Sequence, residues 1–180
     1  MKRNVVILLI ALLLCLVSQN FLDARDVSLT KESAVDMTAM NRVFLGWVDM
    51  VPDDWSIHGY NDKAEWNATI NRLNNAFQRM CQTQFLPGRT VMGANEKGDK
   101  NVADSDLYIK FSDVRIDYKN YYLYLSMQFI DRKTNTKIAV IPTRAYYGNE
   151  WGFERYLQAA LDEVGKKIQV EILGGPLNGK

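Results

Sequence analysis

The spacing of apolar positions changes along this chain from an unbroken run to a helical period and then to a period of two, and each regime predicts a different element. Val5 to Leu14 is apolar without interruption, extended by Cys15, Leu16 and Val17 and preceded by Lys2 and Arg3. That is the build of a secretory signal peptide. At 1.5 Å per residue the run reaches about 20 Å as a helix, short of a hydrocarbon core of roughly 30 Å. Cleavage is expected between Ser18 and Ala24, although Leu16 and Leu22 stand where a small residue is usual. Retention as a signal anchor is the competing expectation. Acylation of Cys15 is disfavoured because Leu14 occupies the place where that processing needs Gly, Ala or Ser.

Residues 19–41 read as a polar leader, partly disordered or with a marginal helix near Lys31 to Met40. Arg42 to Met50 is an apolar block of aromatic and β-branched residues around Gly46, bounded by Pro52, Asp53 and Asp54, and predicts a buried strand in which Gly46 marks a bulge or the close approach of another backbone. Trp66, Ile70, Leu73, Phe77 and Met80 then recur in steps of four and three, laying one apolar stripe along a helix from about Lys63 to Gln84. Asp62 and Glu65 have capping-box spacing, and Pro87-Gly88 ends the helix. Asn67-Ala68-Thr69 matches a glycosylation acceptor, but a helix is the wrong setting for one.

A short strand at Thr90 to Gly93 and a polar loop from Ala94 to Ser105 precede the alternating region. Leu107, Ile109 and Phe111 share one face, and the apolar set resumes out of phase at Val114, Ile116 and Tyr118, which requires a bulge at Ser112-Asp113. Lys119-Asn120 turns into a strand with Tyr121, Leu123, Leu125, Met127 and Phe129 on one face. A second turn, Asp131 to Thr136, with Asn135 suited to positive φ, leads to a third strand from Lys137 to Tyr147, where Pro142 predicts an edge or a bulge. Phe153, Leu157, Ala160, Leu161, Val164 and Ile168 predict a closing helix, capped by Asn149 and ending near Lys166 and Lys167, where its dipole favours cations. Gln169 to Leu173 is expected to add a short last strand.

Two amphipathic helices and a sheet with one apolar face satisfy each other as two layers, so the fold class is α+β: a two-layer sandwich, mainly an antiparallel meander packed by two helices, in the order β-α-β-β-β-β-α. The first strand, helix and short strand form a crossover if the strands are parallel. The expected division is a signal peptide at 1–18, the leader, a single domain at 42–173 and a disordered tail at 174–180.

Composition narrows the chemistry. A net charge of +1 with scattered Lys and Arg gives no concentrated positive footprint, so nucleic acid is not an expected partner. With Cys15 removed, Cys81 has no intramolecular partner and is expected as a buried thiol. His58 is the only histidine, which excludes a histidine-rich metal site. Asp99, Asn101, Asp104 and Asp106 miss calcium-loop register, because Lys110 falls where a bidentate Glu belongs. Gly93 and Gly98 lack the Lys-Ser/Thr of a phosphate loop, so no cofactor is expected. No catalytic residues are assigned. The alternative is a small periplasmic hydrolase using the acidic loop around Asp53, Asp54 and His58.

The surface candidate is aromatic. The second face of the central strand carries Tyr122, Tyr124, Ser126, Gln128 and Ile130, with Tyr146 or Tyr147 alongside. Tyr122, Tyr124 and Tyr147 are the expected partner-binding residues, since tyrosine buries area while keeping a hydroxyl for a partner. Ordinary cross-strand pairing on a wet face is the competing explanation. From Ser105 to Lys167 the chain resembles a group of exported α+β domains, the amino-terminal domain of TolB and the CsgG and LpoB envelope lipoproteins. The resemblance rests on the strand Asp106 to Ile109, the long meander, the turn Asp131-Arg132-Lys133-Thr134-Asn135, with Asn135 where Gly is frequent, and the helix ending Ala159-Ala160 through Lys167. It implies an envelope protein that works by binding and has no active site; none of the group's functional residues carries over. The expected function is therefore an exported, periplasmic, non-catalytic binding or assembly component of the bacterial envelope. Its partner would be an envelope protein engaged through an exposed sheet face or edge strand.

Overall fold

The computed structural model describes residues 30–31, 35–50, 62–93, 104–117, 119–146 and 153–174. Its elements are β1 (Thr30–Lys31), β2 (Arg42–Leu45), α1 (Lys63–Met80), β3 (Thr90–Gly93), β4 (Leu107–Asp117), β5 (Tyr122–Asp131), β6 (Thr136–Tyr146) and α2 (Phe153–Leu173). They form an α+β sandwich: one sheet in the order β1-β6-β5-β4-β2-β3, with both helices contributing to a single core against one of its faces. β2 pairs in parallel with β3 and with β4, so β2-α1-β3 is the expected crossover, and β4-β5-β6 is the antiparallel meander.

Local chemistry explains the best-formed elements. Asp62 caps α1 by accepting from the amides of Ala64 and Glu65, and the predicted stripe of Trp66, Ile70, Leu73 and Phe77 is buried. The helix runs on through a wider π turn at Cys81–Phe85. Cys81 lies fully inside, and burial pushes its thiol up to about 12. The helices run in the same direction: Trp66 meets Phe153 with ring centroids 5.6 Å apart, Arg72 pairs with Glu154, and Gln158 donates to the Met80 sulfur. Further along, the Phe85 ring occupies the space above Gly165, where an added Cβ would stand 2.2 Å from a ring carbon.

The predicted phase slip in β4 is present. Ser112 pairs with Ser126 and Arg115 with Tyr124, so three steps on β4 oppose two on β5, and Asp113 takes a left-handed φ of 54°. A second irregularity lets both Ile138 and Ala139 of β6 enter the core opposite Phe129. Asn135 has the expected positive φ, and Asp131 accepts from the amides of Lys133 and Thr134. Pro142 lies beyond the two residues of β6 that pair with β1.

Several expectations need correction. The strand expected over Arg42 to Met50 stops at Leu45. Gly46 donates to the Ile109 carbonyl and approaches β4 so closely that a Cβ would lie 2.8 Å from that oxygen. From there the backbone turns to α1 for its partners: the Asn74 side chain bonds both the amide and the carbonyl of Val48, and the Trp66 indole donates to the Met50 carbonyl. The last strand expected at Gln169 to Leu173 is instead the end of α2, because Ile168 and Ile172 continue its apolar stripe at full burial. Lys166 and Lys167 are therefore inside the helix rather than at its end. Among the described residues of the stretch Lys31 to Met40, where a marginal helix is one expectation, the helical element is a 3-10 turn at Met37–Ala39 with Asp36 as its cap. Met37 is buried in the core and Thr30–Lys31 pairs with β6, so sheet and core both draw on residues before Arg42. Arg89 secures this approach by donating to the carbonyls of Met40 and Thr38. Asn149 lies outside the described residues.

Candidate functional site

Strand β5 divides its side chains cleanly. Leu123, Leu125, Met127 and Phe129 are buried under the helices, while Tyr122, Tyr124, Ser126, Gln128 and Ile130 are half-buried on the opposite face. Both neighbours in register extend that second face. Asp117 and Tyr146 flank Tyr122, and Arg115 and Arg144 flank Tyr124.

These residues form a contiguous aromatic and cationic patch. The Tyr122 ring lies 6.0 Å from Tyr124 and 5.5 Å, edge-on, from Tyr146, which is 50% exposed. The Arg115 guanidinium stands 4.5 Å from the centroid of the Tyr124 ring, and Arg144 stands 5.1 Å from that of Tyr122. Both distances are within cation–π range. The hairpin turn closes this end of the sheet: Asp117 accepts from the amides of Lys119 and Asn120 and from the Asn120 side chain, and Tyr121 takes a φ of 59°. The Asn120 side chain foremost holds the Asp117 carboxyl below the usual carboxylate range. From the helix side, Lys167 donates to the Thr143 hydroxyl and to the Arg144 carbonyl, bracing the strand that presents Arg144. Burial lowers the Lys167 pKa, with Glu163 opposing that shift and Arg144 adding to it.

The other end of the same face is of a different kind. Phe44 is 1% exposed and packs edge-on against Tyr108 with centroids 5.6 Å apart, and burial raises the Tyr108 pKa. Nearby, Asp106 accepts from the amides of Asn41 and Arg42, tying the start of β4 to the start of β2. Those bonds, that from Arg42 first, hold its carboxyl below the usual range. Asp106 is thus a structural cap.

Of the expected binding residues, Tyr122 and Tyr124 are together on the helix-free face. Tyr147 lies outside the described residues, and among those described Tyr146 joins the cluster. Asp53, Asp54 and His58 of the alternative loop also lie outside them. Among the described residues no group of three or more His, Cys, Asp or Glu side chains gathers, and no helix is long and apolar enough to cross a membrane. Arg115 and Arg144 were missed by reading the sequence, although the signals were present. The bulge at Ser112-Asp113 is what turns Arg115 to the open face, and alternation with Ile141, Thr143 and Ala145 places Arg144 there.

No protein-family profile and no curated protein matches the chain. Among solved structures, the chain is similar to PelC dodecamers from Paraburkholderia phytofirmans in two crystal forms. One has 11% identity, a TM-score of 0.35 and coverage of 82% of this chain and 92% of that one. The other has 12% identity, a TM-score of 0.36 and coverage of 82% and 93%. A Xanthomonas campestris protein of the family DUF330 has 13% identity, a TM-score of 0.37 and coverage of 74% and 81%. Likeness of this degree carries no argument about function.

Proposed function

We propose that this protein is an exported, non-catalytic binding or assembly component of the bacterial cell envelope, comparable in kind to the TolB amino-terminal domain, CsgG and LpoB group. It engages an envelope protein through the helix-free face of its sheet. The observation that carries the reading is the cluster of Tyr122, Tyr124 and Tyr146 with Arg115 and Arg144, which gathers large part-exposed rings and guanidiniums on a face the helices leave open. Such side chains are enriched at protein interfaces because they bury area while retaining polar groups for a partner. Export is supported by the apolar run from Val5 to Val17 behind Lys2 and Arg3.

The combined substitution Tyr122→Ser and Tyr124→Ser tests the reading. Capture of an envelope partner by the tagged protein should fall while thermal unfolding stays close to that of the parent. Unchanged capture would remove the face from the function, and loss of folding would show that the tyrosines serve the core. Intact mass of the periplasmic fraction tests export, with a start between Gln19 and Asp26 expected and retention of Lys2 and Arg3 contradicting it.

A further inference from the structure

The chemistry of the Tyr122–Tyr124–Tyr146 patch restricts what can occupy it. Arg115 and Arg144 are both exposed, and neither closes an ion pair among the described residues, although the charge of Arg115 reaches Asp117 on the same face; Arg42 and Arg72, by contrast, pair with Asp106 and Glu154. The carboxylates of β4 are engaged locally: Asp113 accepts from the Ser112 hydroxyl, and Asp117 accepts from the Lys119 and Asn120 amides and the Asn120 side chain. A guanidinium over an aromatic ring is weakly hydrated and keeps its donors in its own plane, where they match a carboxylate two at a time.

Resting on the binding role proposed above, we infer that the patch takes an extended acidic segment of a partner protein, with carboxylates on Arg115 and Arg144 and its backbone across Tyr124. Arg115 and Arg144 pair with the same residue of β5 from opposite sides. Their Cα atoms are therefore two strand spacings apart, roughly 10 Å, which is the reach of about three residues of extended chain. In a polyproline II segment, with three residues per turn and about 3.1 Å of rise per residue, carboxylates at every third position share one side and meet both arginines. An anionic membrane surface fits less well. Bilayer binding needs apolar side chains standing clear of the protein, whereas Tyr122 and Tyr124 are half-buried with guanidiniums over their rings.

The test uses the full chain after export and a fluorescein-labelled twelve-residue probe of Glu-Ser-Pro repeats, read by anisotropy. Phosphatidylglycerol vesicles are assayed in parallel. The parent should bind the peptide, and Arg115→Gln with Arg144→Gln should weaken it at least tenfold without loss of folding by circular dichroism. Lys133→Gln, in the exposed turn at the far end of β5, should leave affinity within twofold. If the glutamine pair does not fold, Arg115→Lys with Arg144→Lys keeps the charge, removes the planar fork and should still weaken binding. Four results would overturn the assignment: no peptide binding, equal affinity in the arginine variants, an equal loss in Lys133→Gln, or arginine-dependent binding of vesicles in place of peptide. If the assignment fails while the tyrosine substitutions still abolish partner capture, the face remains a binding surface and only its acidic ligand is wrong. If capture also survives the tyrosine substitutions, the binding role of the face falls with it.

Discussion

The two faces of β5 are built from alternate residues of one strand, yet they obey different rules. Leu123, Leu125, Met127 and Phe129 are buried, and each meets a further buried side chain on β6: Ala145, Thr143, Ile141 and Ala139. Across the strand, Tyr122 and Tyr124 stay half-buried and their neighbours are arginines, another tyrosine and Asp117. Removing apolar area from water is the main gain on the first face. On the second, contacts worth about 0.2–1 kcal/mol each leave the rings and guanidiniums accessible. Substitutions on the two faces should therefore separate stability from binding.

The largest effect belongs to the covered face. Phe129→Ala removes a fully buried ring and should lower unfolding free energy by about 3–5 kcal/mol in chemical denaturation. A loss under about 1 kcal/mol would break the contrast between the faces. Next comes Asn74→Leu, which strips the Val48 amide and carbonyl of their side-chain partner in a buried setting and should cost about 2–4 kcal/mol. Gly165→Ala drives a methyl into the Phe85 ring and should cost about 1–3 kcal/mol in the same assay unless the ring finds another position.

Cys81 sharpens the account of the core through pH. Its thiol is raised from 9.0 to about 12, so above pH 9 the unfolded chain loses a proton that the folded chain keeps. Stability from this group is complete below pH 9 and declines by about 1.4 kcal/mol per unit as pH rises toward the folded value. Denaturation of Cys81→Ala beside the parent should show a shallower alkaline decline, and parallel curves would contradict the buried thiol. The smallest stability effect is expected on the open face, where Tyr122→Ser and Tyr124→Ser should each cost about 1 kcal/mol or less.

Periodicity revealed elements whose side chains answer to one surface. The α1 stripe, the β5 alternation and the β4 bulge were legible because burial leaves a local repeat. The open face was partly legible for the same reason: Tyr122 and Tyr124 follow from alternation, and Arg115 follows once the bulge is counted. Other features depend on contacts distant in sequence. Nothing in residues 46–50 shows that Asn74 and Trp66 take over their backbone bonding, so an apolar block read as a longer strand. Gln169 to Leu173 reads as a short strand in isolation, but Ile172 extends the stripe that buries α2. Alternation does not choose between Tyr146 and Tyr147 and the binding expectation falls on Tyr147, whereas strand register places Tyr146 opposite Tyr122; Tyr147 lies outside the described residues.

The most direct measurement replaces Tyr124 with a photo-crosslinking benzoylphenylalanine in intact cells, beside the same replacement at Arg155 on the exposed side of α2. Binding through the helix-free face gives a discrete crosslinked species with an envelope protein from position 124 and none from position 155. A species from position 155 alone, or none from either, would contradict the assignment of function to the helix-free face.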